Sequence, residues 1–310
     1  MIYTVTLSPA LDYLIWLDHF EEGGLNRAVR SSFRAGGKGI NVSIVLKRLG
    51  SPSVCLGFTA GFVGQELIRL LEAEGIDHDF IPVREGCTRI NVKVKSESET
   101  EINANGPEIS GEELQRLMAQ AEKLTSEDIL ILSGKPPAGI PDNIYAGMME
   151  IVNNKNVRTV VDSSGKYLIT ALEKRPYLIK PNKAELEEIC GKHLSTVSQI
   201  AGAARELQDR GAQNVLVSLG PDGALLASDD GRVYFCGISK GTLKDSTGAG
   251  DSMVAGFTAK DISGAPKAEC LRFASACGCA SAYSSGLLMP EELEQVYART
   301  PQSESISVSF

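Results

Sequence analysis

The chain has 310 residues and 33.1 kDa, is 43% hydrophobic and 23% charged, and sets 31 Lys and Arg against 39 Asp and Glu for a formal net charge of −8. Such a composition fits a soluble globular protein able to bury one large core or two modest ones, and no apolar run approaches the roughly 18 residues that cross a bilayer. A pI near 5.1 argues against an extended nucleic-acid footprint, which relies on clustered Lys and Arg.

The opening Met1-Ile2-Tyr3-Thr4-Val5-Thr6-Leu7 lacks the basic segment and cleavage site of a signal peptide. A cytoplasmic protein with neither membrane nor nucleic-acid partners is expected. Seven cysteines, an odd number set mostly in apolar segments, suit reduced core thiols better than a disulfide framework. The close pair Cys277 and Cys279 lacks a CxxC partner and reads as two small buried hydrophobes.

In chain order, a first strand is expected over residues 2–7. An apolar run over 12–20, with Tyr13, Leu14, Ile15, Trp16 and Leu17, is too short for a helix of its own and reads as a strand of a small accessory sheet. Ala35-Gly36-Gly37-Lys38-Gly39-Ile40-Asn41 then opens a helix through Val42, Val45, Leu46 and Leu49. A strand over 54–58 precedes a helix carrying Val63, Leu67, Leu70 and Leu71, with Gly75 as its stop. Residues 89–95 alternate strictly, Ile90, Val92 and Val94 against Arg89, Lys93 and Lys95, and a turn at 96–99 returns the chain through 100–103.

Further strands are expected at 129–132, 159–161, 177–179 and 215–219, with helices over 111–123, 142–153, 184–189, 198–210, 250–259 and 266–283. Alternating strands and helices imply an α/β fold with a mainly parallel central sheet. The economical description is one domain over 1–310, with lid strands from about 11–20 and 87–104 and a loose, serine-rich tail over 300–310.

The sharpest chemical feature is Asp245-Ser246-Thr247-Gly248-Ala249-Gly250-Asp251-Ser252, leading directly into a helical run. Small residues at a helix start expose backbone N–H groups, and the helix dipole favours an anion there. Asp251 inside that cradle would repel the anion unless it accepts a proton from an attacking hydroxyl, although an acid also simply favours a helix N-terminus. No G-x-x-x-x-G-K-[ST] is present, and Gly248-x-Gly250 lacks the third glycine and early position of a dinucleotide fingerprint. Earlier in the chain, Gly36-Gly37 would let backbone approach a ligand, with Lys38 supplying charge and Asn41 both a donor and an acceptor.

Together, in this order, the two glycine motifs resemble those of the PfkB-type carbohydrate kinases of the ribokinase superfamily, whose early signature contains G-G-K-G-x-N and whose late one reads D-[ST]-x-G-A-G-D. The similarity extends to Thr6-Leu7-Ser8-Pro9-Ala10-Leu11-Asp12, Ser133-Gly134, Lys180-Pro181-Asn182-Lys183-Ala184-Glu185 and Val217-Ser218-Leu219-Gly220. Within the family, Thr88-Arg89-Ile90-Asn91-Val92-Lys93 and Glu99-Thr100-Glu101-Ile102-Asn103 are most similar to the 1-phosphofructokinase branch, with tagatose-6-phosphate kinases beside it.

The resemblance implies a ribokinase-like three-layer fold with a β-sheet lid, ATP and Mg2+ as cofactors, and a phosphosugar as substrate. It places Asp12, Gly37, Lys38, Asn41 and Arg89 at the sugar, with Arg27 as a further phosphate contact. It sets Lys180, Asn182, Ser218, Gly220, Thr247, Ser275 and Gly278 along the nucleotide, Asn182 and Glu185 around magnesium-bound water, and Gly248, Ala249 and Gly250 as an anion hole beside the base Asp251. The implied reaction moves a phosphoryl group from ATP to the C6 hydroxyl of fructose 1-phosphate. Tagatose 6-phosphate or fructose 6-phosphate is an alternative, and a non-catalytic sugar-phosphate-binding protein is the alternative of another class. The greasy lid face predicts a homodimer formed through the lids.

Two positions depart from the family pattern. Ser8 stands where Asn is usual, and Ser133-Gly134-Lys135-Pro136-Pro137 replaces S-G-S-[LV]-P, so Lys135 either brings a charge to the site or points into solvent.

Overall fold

The apolar strands of the sequence gather into one ten-stranded sheet in the computed structural model, which describes residues 1–307. In chain order the strands are β1 (Ile2–Thr6), β2 (Ala10–Trp16), β3 (Arg30–Gly36), β4 (Ser53–Thr59), β5 (Asp77–Pro82), β6 (Arg89–Lys95), β7 (Glu99–Asn103), β8 (Ile129–Ser133), β9 (Arg158–Asp162), β10 (Leu178–Ile179), β11 (Asn214–Ser218), β12 (Ala224–Ala227), β13 (Val233–Cys236) and β14 (Glu304–Ile306). Across the large sheet they run β14-β13-β12-β11-β10-β9-β8-β1-β4-β5, parallel from β5 to β11 and antiparallel from β11 to β14.

Residue alternation in the middle strands assigns one face to each helical layer. Leu130 and Leu132 of β8 join a core with α3 (Gly111–Ala121), α4 (Ile144–Asn153), α5 (Gly165–Leu172), α6 (Lys183–Cys190) and α7 (Val197–Asp209). Ile129 and Ile131 face α1 (Lys38–Arg48), α8 (Ala249–Ile262), α9 (Lys267–Ala282) and α10 (Pro290–Arg299). Helix α2 (Gly61–Ala73) packs Leu67 and Leu71 against Ile40 and Ile44 of α1. The result is the expected sheet between two layers of helices. The chain leaves β1 toward β4 on one side and β8 lies on the other, so a crevice forms beyond the carboxyl ends of β1 and β8, where open α/β sheets place their ligands.

The second sheet has the order β3-β2-β6-β7. Its β2 and β6 match the expected lid strands, but the first is shorter than the apolar run implies, and its neighbour β3 was not expected. Arg30-Ser31-Ser32-Phe33-Arg34-Ala35-Gly36 carries too few apolar residues to announce a strand, because β3 is a lid edge with largely exposed side chains. Strands β5, β12, β13 and β14 and helices α5 and α10 also lie outside the elements read from the sequence.

The tail is a correction as well. Thr300 is buried and donates to the Val296 carbonyl, and 304–306 pair with β13 as the outermost strand. Backbone pairing at an edge needs no apolar side chains, so a serine-rich segment can supply it. Residues 308–310 of the expected tail lie outside the described residues. All seven cysteines are free thiols. Among the described residues no helix is long and apolar enough to cross a membrane.

Candidate active site

The glycine-rich segment forms the cradle its composition implies. Gly248 caps α8 with φ of 79°, a left-handed conformation that L side chains rarely adopt, and a Cβ there would lie 2.5 Å from Leu287. This turn folds the Ala249 N–H back onto the Ser246 carbonyl at 3.2 Å. Ala249 lines the cavity with its N–H on that carbonyl, while among the described residues the N–H groups of Gly248 and Gly250 have no partner. Thr247 precedes them, its N–H held by Asp245 Oδ1 at 2.9 Å.

Asp251, in the first turn of α8, is buried beside that cradle. Burial pushes its carboxyl up to about 6, helped by the nearby Asp162 and opposed by Lys38, the Asn41 amide and Lys180. Asn41 donates to Asp251 Oδ2 at 2.8 Å and leaves Oδ1 for another partner. A carboxylate with this affinity for a proton is better suited to accept one from a hydroxyl than an ordinary Asp.

Behind it lies a buried charge cluster. Asp162, at the end of β9, approaches Lys38 Nζ at 3.4 Å and Lys180 Nζ at 3.3 Å through one oxygen, Oδ1. Burial alone would raise this carboxyl, but the two lysines outweigh it and hold it below its ordinary value. Asp162 in turn keeps Lys38 protonated against burial. A Cβ on Gly250 would come within 3.0 Å of Lys180 Nζ, so this ammonium stands next to the anion cradle.

The lid supplies the opposite wall. Asp12 of β2 accepts from Asn91 Nδ2 at 2.9 Å and lies 4.0 Å from Lys93 Nζ, which itself pairs with Glu101 at 3.1 Å. Burial raises the Asp12 carboxyl despite these partners. Gly37, at φ of 126°, brings the backbone against Thr6 at the end of β1, where a Cβ would come within 2.6 Å of the threonine methyl. Arg89 donates from Nη2 to the Ser8 carbonyl at 3.1 Å, while its buried Nε has no partner.

On the remaining side, the Asn182/Glu185 pair forms a capping box at the start of α6. Asn182 Oδ1 accepts from the Glu185 N–H at 2.8 Å, and Glu185 Oε2 from the Asn182 N–H at 2.8 Å. Each keeps one polar group, Asn182 Nδ2 and Glu185 Oε1, available to the cleft. Ser218 bridges to Asn182 at the end of β11, Gly220 opens the following turn, and Ser275 and Gly278 of α9 line the same wall. No three His, Cys, Asp or Glu side chains gather to hold a metal among the described residues. The free Glu185 Oε1 suits the water shell of a magnesium ion carried by phosphates, because that ion keeps most of its waters.

Every residue expected at the site lines one cavity of about 880 Å³, with the exception of Arg27. Arg27 lies exposed on the loop between β2 and β3, outside that cavity. The sequence reading missed Asp162, Asn91, Lys93 and Glu101. For Asp162 a signal existed: an acid directly after the β-branched Thr159-Val160-Val161, at the carboxyl end of a parallel strand. Lys135 follows β8 and lines a second cavity of about 790 Å³, which shares Gly37, Lys38 and Arg89 with the first.

A parallel α/β sheet, an anion cradle at a helix start and a buried, raised carboxylate between cradle and lid define a phosphotransferase acting on a polar small molecule. The family model for pfkB family carbohydrate kinases matches residues 5–292. The chain belongs to this family. It is 42% identical to the 1-phosphofructokinase of Bacillus subtilis, covering 96% of this chain and 97% of that protein. It is also 38% identical to the D-tagatose-1-phosphate kinase of Bacillus licheniformis, over 95% and 97% respectively. The crystal structure of Escherichia coli phosphofructokinase-2 in complex with fructose-6-phosphate superposes with a TM-score of 0.90 at 30% identity, over 96% and 98% of the two chains. The fold is the ribokinase-like one and the protein is a kinase. Where the resemblance implied tagatose-6-phosphate kinases as neighbours, the tagatose relatives here are named for the 1-phosphate.

Proposed function

We propose that the protein phosphorylates the C6 hydroxyl of fructose 1-phosphate with ATP, giving fructose 1,6-bisphosphate. The observation that carries this reading is Asp251 facing a cavity whose lid wall holds a carboxylate for hydroxyls, Asp12, and which is also lined by the cations Lys38 and Arg89. Relatives named 1-phosphofructokinase support the same substrate.

In this mechanism Asp12, ordered by Asn91 and Lys93, accepts hydrogen bonds from sugar hydroxyls, and Arg89 engages the phosphate already on the sugar. Asp251 takes the proton from the C6 hydroxyl as that oxygen attacks the γ-phosphorus in line, the bond from the γ-phosphorus to the β,γ-bridging oxygen breaks, and ADP leaves with its electron pair. The N–H groups of Gly248 and Gly250, with Lys180 beside them, stabilise charge growing on the transferred group. Lys38, held by Asp162, lies between the two anionic ends. The wall formed by Ser218, Gly220, Ser275 and Gly278 suits the nucleotide. Magnesium, bound with ATP, would neutralise the triphosphate, and Asn182 and Glu185 would order its waters.

A coupled assay with fructose 1-phosphate, tagatose 1-phosphate, tagatose 6-phosphate, fructose 6-phosphate, fructose and ribose tests the assignment. The highest kcat/KM is expected with fructose 1-phosphate, and a preference for fructose 6-phosphate would overturn it. Tagatose 1-phosphate is the second reading, favoured by the tagatose-named relatives. It differs from fructose 1-phosphate only in the configuration at C4.

A further inference from the structure

The cavity at the carboxyl ends of β1 and β8 continues past the reaction centre, and its far side carries a charge that the mechanism does not use. That cavity is walled by Ser8, Arg89, Gly106, Ser133 and Lys135, and it joins the reaction cavity through Gly37, Lys38 and Arg89. The two cavities are therefore adjoining parts of one cleft. We infer that Lys135 is a specificity residue whose ammonium, together with Arg89, holds the phosphate that the sugar brings with it. This inference rests on the reading of the protein as a phosphosugar kinase, and adds to it the residue that distinguishes a phosphosugar from the free sugar.

Four observations carry it. Lys135 has no carboxylate within ion-pair distance among the described residues, whereas Lys38, Lys93, Lys95 and Lys180 are each paired with one. Its charge is uncommitted.

Second, the backbone that carries Lys135 is fixed. The Gly134 N–H donates to the Asp162 carbonyl at 2.9 Å, and the Gly134 carbonyl accepts from Tyr145 at 2.8 Å and Ser163 at 3.0 Å. Pro136 and Pro137 follow and restrict the chain on the other side. The ammonium is thus tethered to a rigid point at the mouth of the cavity, and ordering it costs only side-chain freedom.

Third, two buried polar atoms at the same wall lack partners, Arg89 Nε and Ser133 Oγ. Buried donors are nearly always satisfied, and these two leave the wall with unmet hydrogen-bonding capacity. Fourth, among the described residues Glu108 is the one acid lining this cavity, against Lys38, Arg89 and Lys135, so the local balance still favours an anion. The family pattern places serine at position 135. A hydroxyl offers one neutral hydrogen bond where the lysine offers three donors and a full charge.

The test compares wild type with K135S, K135M and K135R at saturating ATP, using fructose 1-phosphate and unphosphorylated fructose. K135S and K135M are expected to lower kcat/KM for fructose 1-phosphate roughly 10- to 100-fold, mainly through KM, so that the preference over fructose shrinks by that factor. K135R, which keeps the charge, restores most of the preference. Wild type that prefers fructose 1-phosphate while K135S and K135M keep the full preference overturns the Lys135 assignment alone. Wild type that turns over fructose as well as its phosphate ester overturns the phosphosugar reading and this inference with it.

Discussion

In the proposed mechanism Asp251 combines a role in chemistry with a cost in stability, and both follow from its burial. Its ordinary value near 3.8 is raised to about 6, so between those values the folded chain holds a proton that the unfolded chain has released. Stability therefore falls as pH rises through that window. Above pH 6 the buried charge costs on the order of 3 kcal/mol. Replacing Asp251 with Asn keeps an acceptor for Asn41 but removes the base. We expect kcat to fall by a factor on the order of 10² to 10⁴, while the thermal midpoint at pH 8 rises above wild type and the difference closes toward pH 4. Near-normal turnover would remove Asp251 as the base, and an unchanged midpoint would remove the stability argument. In wild type, kcat/KM should fall below about pH 6 as Asp251 takes up its proton. Asp162→Asn removes the neighbouring negative charge and frees Lys38 and Lys180 to act on Asp251. That acid limb should then move to lower pH, with a destabilisation of about 3–5 kcal/mol from the orphaned lysines, measured by denaturant unfolding. Asp251 is legible in the sequence because a carboxylate in an anion cradle conflicts with its surroundings. Asp162 is harder to read, because one acid after a strand carries no such conflict until the fold brings two lysines to it.

At the scale of elements, the start of α6 shows one motif doing two things. The Asn182/Glu185 capping box satisfies two N–H groups that a helix start leaves unpaired, and the same spacing turns the remaining polar groups toward the cleft. Glu185→Gln preserves the cap, since Gln serves equally at that position, but removes the negative charge. We expect the thermal midpoint to change little while the magnesium concentration needed for half-maximal rate rises severalfold. Loss of stability without a change in magnesium dependence would reduce Glu185 to a cap. The lid illustrates what a pattern can and cannot reveal. Strand β6 alternates because one face meets the cleft and the other does not, so its period is written in the residues. Strand β3 is held by its hydrogen bonds to β2, and its side chains carry little of that information. Two lid cations also tie the lid to the body. Lys95 pairs with Asp245 at 3.1 Å, and Arg34 donates to the Ser285 carbonyl at 2.8 Å. Neither partner lies near in sequence, so neither tie could be read from it.

For the molecule as a whole, the outer lid face remains uncovered within one chain. Tyr13 stacks on Phe33 with ring centroids 4.5 Å apart, Phe33 is 47% exposed and Ile102 58%. Pairing of two lids through this face is our proposal for the assembly, and it predicts a mass of about twice 33.1 kDa by sedimentation at micromolar concentration. Phe33→Asp with Ile102→Asp should yield a monomer, and a wild-type monomer under the same conditions would exclude the lid interface. The central sheet was largely legible because buried parallel strands read as apolar runs, while its antiparallel edge is built from short strands whose partners only the fold defines. The hydrogen bond between Asn41 and Asp251 joins residues 210 positions apart. Everything assigned to the sugar end is translated before Lys180, and the cradle, the base and α9 come after it. At about 5–20 residues per second, a ribosome needs several seconds to tens of seconds to pass from one set to the other. During that interval the emerging polypeptide can already hold the beginnings of its acceptor pocket but has no machinery to activate a nucleotide. Under the proposed mechanism, an unfinished chain lacks both the base and the cradle that phosphoryl transfer requires.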